Sequence, residues 1–172
     1  MKTCSLLLIT FLAARALQAA DPVQFSVGNF AFDRPEGWTW IAPSSPMRKA
    51  QLSIPGSQGD AAADITFFHF GAGQGGGVQA NVRRWFGQFQ DGTTDTRNEK
   101  FGQIPVTLVS ASGTFSSGMP GGPTTAKSGY ALRGAILESA GGDVFVKMTG
   151  PESTVKAAEA AFEKMVKTAA SR

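Results

Sequence analysis

The sequence predicts an α+β domain: a mainly antiparallel sheet of about six to seven strands, packed with two helices in a layered sandwich. Three observations lead there. Strand-like stretches follow one another with little but turn residues between them, which makes neighbours antiparallel. The stretch from Ala62 to Gln90 reads as strand, glycine-rich turn and amphipathic helix. A second helix closes the chain, with Val155, Ala158, Phe162, Met165, Val166 and Ala169 at helical spacing. The 172 residues suit one domain, and thirteen Phe with three Trp supply its core.

Residues 1–20 have the pattern of a signal peptide, which leaves 21–172 as the domain. Lys2 gives a positive start, Leu6 to Leu12 form a short apolar run, and Gln18-Ala19-Ala20 precede polar Asp21. The run is short for a bilayer span, so cleavage after Ala19 or Ala20 is expected, with no stable membrane insertion afterwards. The alternative is a retained N-terminal anchor. The one cysteine, Cys4, lies inside this segment. The processed chain then has no thiol, which excludes disulfides, thiolate catalysis and cysteine-based zinc sites. A cysteine-free exported protein suits a bacterial periplasm. Removing Lys2 and Arg15 leaves fourteen Lys and Arg against thirteen Asp and Glu, a net charge of about +1. With basic doublets only at Arg48-Lys49 and Arg83-Arg84, no nucleic-acid partner is expected.

In chain order, Phe25 to Phe32 reads as one strand and Pro35-Glu36-Gly37 as its turn. Trp38 to Ile41 is a second strand, stopped by Pro43. Lys49 to Ile54 alternates, with Ala50, Leu52 and Ile54 on one face. Asp64 to Phe70 is apolar on both faces, the mark of a strand covered on both sides. The glycine-rich turn at 71–77 frees the backbone before a helix whose Val78, Val82, Trp85, Phe86 and Phe89 share one side. Asp91 to Arg97 reads as a polar loop. Ile104 to Phe115 is a long strand. Ser116 to Gly129, rich in Gly, Pro, Ser and Thr, is an excursion too long for a tight turn. Tyr130 to Glu138 and Val144 to Thr149 are strands flanking a hairpin signal at Ala140 to Asp143. Pro151 and Glu152 open the last helix at its positive end.

The candidate sites are few. Gly71-Ala72-Gly73-Gln74-Gly75-Gly76 is a literal G-x-G-x-x-G between strand and helix. No parallel strand with an acidic end follows it, so it is a turn and not a dinucleotide site. Free N–H groups there are an anion-binding candidate, built from Gln74, Gly75, Gly76 and Gly77 with Arg83 and Arg84. The single histidine, His69, alternates with Ile65 and Phe67 and is expected to be packed and hydrogen-bonded. Asp60 with Asp64, and Asp91 with Asp95, lack calcium-loop spacing. Trp38 and Trp40 share a face that is expected to be core. No catalytic residues, metal ligands or cofactor are assigned. The long loop is the candidate for partner contact, at Met119, Pro120, Gly121, Gly122 and Pro123.

Two stretches carry a family resemblance. Phe30-Ala31-Phe32-Asp33-Arg34-Pro35-Glu36-Gly37-Trp38 resembles the opening of the PsbP-like superfamily. Lys147-Met148-Thr149-Gly150-Pro151, with the following helix and its Phe162, is similar to that superfamily's close. The superfamily takes in the photosystem II extrinsic protein, the yeast Ran-binding Mog protein and bacterial envelope lipoproteins. Within it, Arg48 to Gly56 and His69-Phe70-Gly71 through Trp85 resemble an uncharacterised family of secreted bacterial proteins. The resemblance implies an antiparallel sheet between helices, and a protein that binds or assembles things without catalysis. It brings no metal ligands, because no positions here match those of the photosystem protein, and the lipid-attachment cysteine of the lipoproteins is missing. The expectation is an exported, non-catalytic binding or assembly protein of the bacterial envelope with a protein partner there. The alternatives are a small periplasmic hydrolase using His69, or a self-associating interaction module.

Overall fold

The computed structural model describes residues 23–57, 59–117 and 125–172. Residues 1–20, where the signal peptide is expected, and Met119 to Pro123 therefore lie outside the described residues. The chain runs β1 (Gln24–Val27), β2 (Phe30–Asp33), β3 (Thr39–Trp40), β4 (Arg48–Ile54), β5 (Ala63–His69), α1 (Gly77–Phe86), β6 (Phe89–Phe101), β7 (Ile104–Ser117), β8 (Thr125–Leu137), β9 (Val144–Pro151) and α2 (Glu152–Ala170). Seven strands form one sheet in the order β3-β4-β5-β9-β8-β7-β6, antiparallel throughout, and β1 with β2 forms a separate hairpin. This is the predicted α+β sandwich.

Alternation along the central strands divides their residues between two cores. On one face, Leu52, Ile65, Phe67, Ala135, Val146 and Met148 are buried beneath α2 and the β1–β2 hairpin. The predicted stripe of α2 is buried as expected, with Thr154 and Ala170 added. Trp38 is buried in this core and Trp40 packs against it, its ring 5.3 Å from that of Phe25. On the other face, Val109, Ala111, Leu132, Ile136 and Phe145 meet Val82 and Trp85 of α1. Trp85 comes this close because position 134 is glycine: a Cβ there would stand 2.3 Å from the indole Cζ3.

Three expectations change. Phe25 to Phe32 is a hairpin, because Gly28 turns the chain with φ of 55°. The space above that turn is filled by His69, which a Cβ at Gly28 would meet at 2.9 Å. Asp91 to Arg97 is not a loop but the middle of β6, paired with β7 from Phe89↔Phe115 to Phe101↔Ile104. The Asp91-Gly92 pair makes a bulge between Gln90 and Thr93, where Asp91 takes φ of 52°. An outermost strand exposed on both faces needs no apolar alternation, and so it carries none. The Ser116–Gly129 excursion is shorter than read, since β7 runs to Ser117 and β8 starts at Thr125.

Two features set up the site. First, β8 is paired with β9 only as far as Tyr130↔Pro151, so 125–129 overhang the end of β9 and pair with β7 alone. Second, the chain between β4 and β5 is pinned to the first turn of α2. Thr154 Oγ1 accepts from Ser57 N and donates to Ala61 O, both at 3.1 Å, and Ser153 Oγ donates to Asp60.

Candidate functional site

The α1 helix is ten residues long and packs on the β6–β8 side of its sheet face, reaching β9 at Phe145. The remainder of that face, over β5 and β9, is the floor of a trough of about 480 Å³. Thr66, Lys147 and Thr149 form the floor with Asp64. Alternation puts Lys147 and Thr149 on this face, and the antiparallel pairing sets Thr66 opposite Lys147 and Asp64 opposite Thr149. Phe115, Lys127 and Tyr130 of the β7–β8 overhang make one wall, Arg48 another, and Ala61, Ala62 and Gly150 close the end.

The aromatic wall is interleaved with charge. Lys127 Nζ lies 5.2 Å from the centre of the Tyr130 ring. Tyr130 stacks on Phe115 with 6.0 Å between centroids and 5° between planes. Lys147 Nζ lies 5.4 Å from the centre of Phe115. A cation over a ring face is attracted by the ring's quadrupole, by about 0.5–2 kcal/mol depending on desolvation.

Lys147 is the unusual member. Burial pushes its ammonium down from the ordinary 10.5 to about 8, and the neighbouring Arg48 adds to the shift. Among the described residues, its one side-chain hydrogen bond goes to Gln88 Oε1, a neutral acceptor just past α1. Among the described residues, neither Lys147, Lys127 nor Arg48 makes a salt bridge. The α2 face differs: Arg133 is paired with Glu159 at 2.6 Å, and Arg97 with Glu163 at 2.6 Å. Beside Lys147, Thr149 Oγ1 is buried and is the one such side-chain polar atom without a hydrogen-bond partner among the described residues. A buried hydroxyl left unpaired costs about 1–3 kcal/mol.

The residues singled out in the sequence lie elsewhere. Gln74, Gly76 and Gly77 gather around a smaller cavity of about 170 Å³ with Gly73, Ser139, Gly142 and Asp143. Gly75 stands apart, close against the rings of Phe70 and Phe145. Arg84 reaches back to Gly76 and donates to Asn81 Oδ1, while Asn81 Nδ2 donates to Gly75 O and Gly77 O and so holds the turn. Arg83 is exposed in the last turn of α1, at the far end from those N–H groups. The ionisable side chain lining this cavity is the acid Asp143, which works against an anion there.

His69 Nδ1 lies 3.3 Å from the carbonyl oxygen of Asp143, and the ring packs under the β1–β2 turn. It is packed and hydrogen-bonded as expected. Among the described residues, no group of three His, Cys, Asp or Glu is placed to hold a metal, and no helix is long and apolar enough to cross a membrane.

The trough itself was not singled out from sequence. Its members are spread from Arg48 to Gly150 over five elements, and only the pairing register unites them. The one local signal was Lys147 in the otherwise apolar strand Val144–Met148, a cation where the pattern calls for a buried residue.

No protein-family model matches this chain, and no curated protein matches it. Solved structures do. The cyanobacterial PsbP (CyanoP) of Synechocystis sp. aligns with a TM-score of 0.53 over 89% of this chain and 95% of its own, at 7% identity. The fold is PsbP-like. A Pseudomonas aeruginosa protein of unknown function aligns over 84% of this chain and 93% of its own, with a TM-score of 0.49 and 13% identity.

Proposed function

We propose that this chain is an exported, non-catalytic binding protein of the bacterial envelope, and that it holds its partner in the trough around Lys147. One observation carries the reading: a desolvated ammonium lines an open cavity, two residues along the same strand face from a buried, unpartnered hydroxyl. A fold keeps such costs where a site uses them. The PsbP-like fold and the signal pattern support the rest. In the sequence, residues 118–124 connect β7 to β8, the two strands that form the aromatic wall. Contact through Met119 to Pro123 is part of the proposal.

The test is crosslinking in cells followed by affinity capture from the envelope fraction, read by mass spectrometry. The wild type is compared with a rim variant, Lys127→Glu with Tyr130→Ala, and with a deletion of 119–125. The wild type is expected to retain one dominant partner or bound small molecule, which both variants lose. Equal capture by the rim variant overturns the trough as the site. A wild type that retains nothing overturns the binding reading.

A further inference from the structure

We propose that the occupant of the trough is an organic anion, its carboxylate or phosphate head set between Lys147, Lys127 and Arg48 and its apolar body laid against Phe115 and Tyr130. This deepens the reading above and rests on it.

Charge gives the sign. Three cations line the cavity against one carboxylate, Asp64, and none of the three cations is engaged in a salt bridge among the described residues. A cationic ligand would add a fourth positive charge to that group. A neutral ligand would leave Lys147 as desolvated as before. An anion alone answers both, since a charge-assisted hydrogen bond to a buried ammonium replaces the water that burial removed.

Hydrogen bonding gives the head a second anchor. Thr149 Oγ1 lies two residues along the same strand face from Lys147, buried and with its donor unused. Thr66, on the neighbouring strand, points its hydroxyl to the Lys147 carbonyl at 3.4 Å and so is already occupied. A head group accepting from Lys147 Nζ and Thr149 Oγ1 would satisfy both.

Size and surface give the body. A cavity of about 480 Å³ falls within the range typical of small-molecule sites, about 300–1,000 Å³, and far exceeds what an inorganic anion needs. The stacked pair Phe115 and Tyr130 adds apolar ring surface to the lining next to the cations. An anion with an aromatic or aliphatic body meets both kinds of surface at once.

The test uses the processed full chain and defined probes: benzoate, phenyl phosphate, and benzyl alcohol as the neutral counterpart, by isothermal titration. At least one of the two anions is expected to bind about tenfold or more tightly than benzyl alcohol, and Lys147→Met to weaken that anion by about tenfold or more. Whichever of the two binds tighter identifies the head as carboxylate or phosphate. Affinity for that anion falls as pH rises past about 8, where Lys147 loses its charge. Arg48, Lys127, Tyr130 and Asp64 face the same site, so the dependence assigned to Lys147 is the part that Lys147→Met removes. Thr149→Val weakens binding severalfold and separates the hydroxyl from the charge. Lys127→Ala, at an exposed position, gives a second reading should the buried variant misfold.

Anions that bind no better than benzyl alcohol overturn the proposal. Binding that neither Lys147→Met nor Lys127→Ala changes also overturns it. If the rim variant still loses its envelope partner, only the ligand class is wrong. If capture is also unchanged, the trough itself is.

Discussion

At Lys147 a cation sits in the otherwise apolar run Val144–Met148 of β9, and the fold bears the cost. The drop from 10.5 to about 8 corresponds to about 3 kcal/mol of disfavoured charging. The sign follows from linkage. Below about pH 8 both folded and unfolded chains carry the proton, and the full penalty is present. Between about 8 and 10.5 the unfolded chain binds more protons, so stability rises with pH across that window. Above it the penalty is gone. Lys147→Met is therefore expected to stabilise the protein by about 1–3 kcal/mol at neutral pH and to flatten the rise above pH 8. Urea unfolding at a series of pH values reads both. A variant that is more stable and binds less is the signature of a residue kept for its site. A destabilised Lys147→Met would mean that the Gln88 and Phe115 contacts outweigh desolvation.

At the scale of elements, the rim and the helices are held by specific contacts. Thr154, in the first turn of α2, bonds both Ser57 and Ala61. Thr154→Val keeps the shape and removes both bonds, which is expected to cost about 1–3 kcal/mol. Faster amide exchange at 57–62 would check it. Gly134 permits Trp85 to lie on the sheet, so Gly134→Ala is expected to cost about 1–3 kcal/mol by overpacking. Trp85→Ala should cost about 3–5 kcal/mol by leaving a cavity. Thermal unfolding of both variants tests the pair, and the double mutant should recover part of the glycine cost. Here the sequence was informative in proportion to periodicity. The stripe of α2 and the alternation of β4 were legible because one period governs each. The arm Gln90–Lys100 was not, because an edge strand with both faces in water has no apolar period to read. The Asp91-Gly92 pair marked a bulge in place of a loop.

Over the whole molecule, the two sides of the sheet are unequal. The α2 face carries a large apolar core shared with the β1–β2 hairpin, whereas α1 covers a smaller cluster. Local opening is easiest where buried contacts are fewest. Native-state hydrogen exchange is therefore expected to show α1 opening at a lower free energy than β9 or α2. Equal protection of both helices would show that the two cores open as one unit. The same inequality explains the site: a short helix on a wide sheet leaves strand face uncovered, and the cations and threonines lie there. That gap was invisible in the sequence, because it depends on which strands neighbour which. The register places Thr66 beside Lys147 across 81 positions of chain.

The strand order has a further consequence for how the chain is made. The last strand, β9, lies between β5 and β8, so it is the keystone that joins the early strands to the later ones. Until Val144–Pro151 has left the ribosome, β3-β4-β5 and β6-β7-β8 are two sheets with no shared edge, and α2, which roofs the larger core, follows later still. A nascent chain of this topology stays open until synthesis is nearly through this segment.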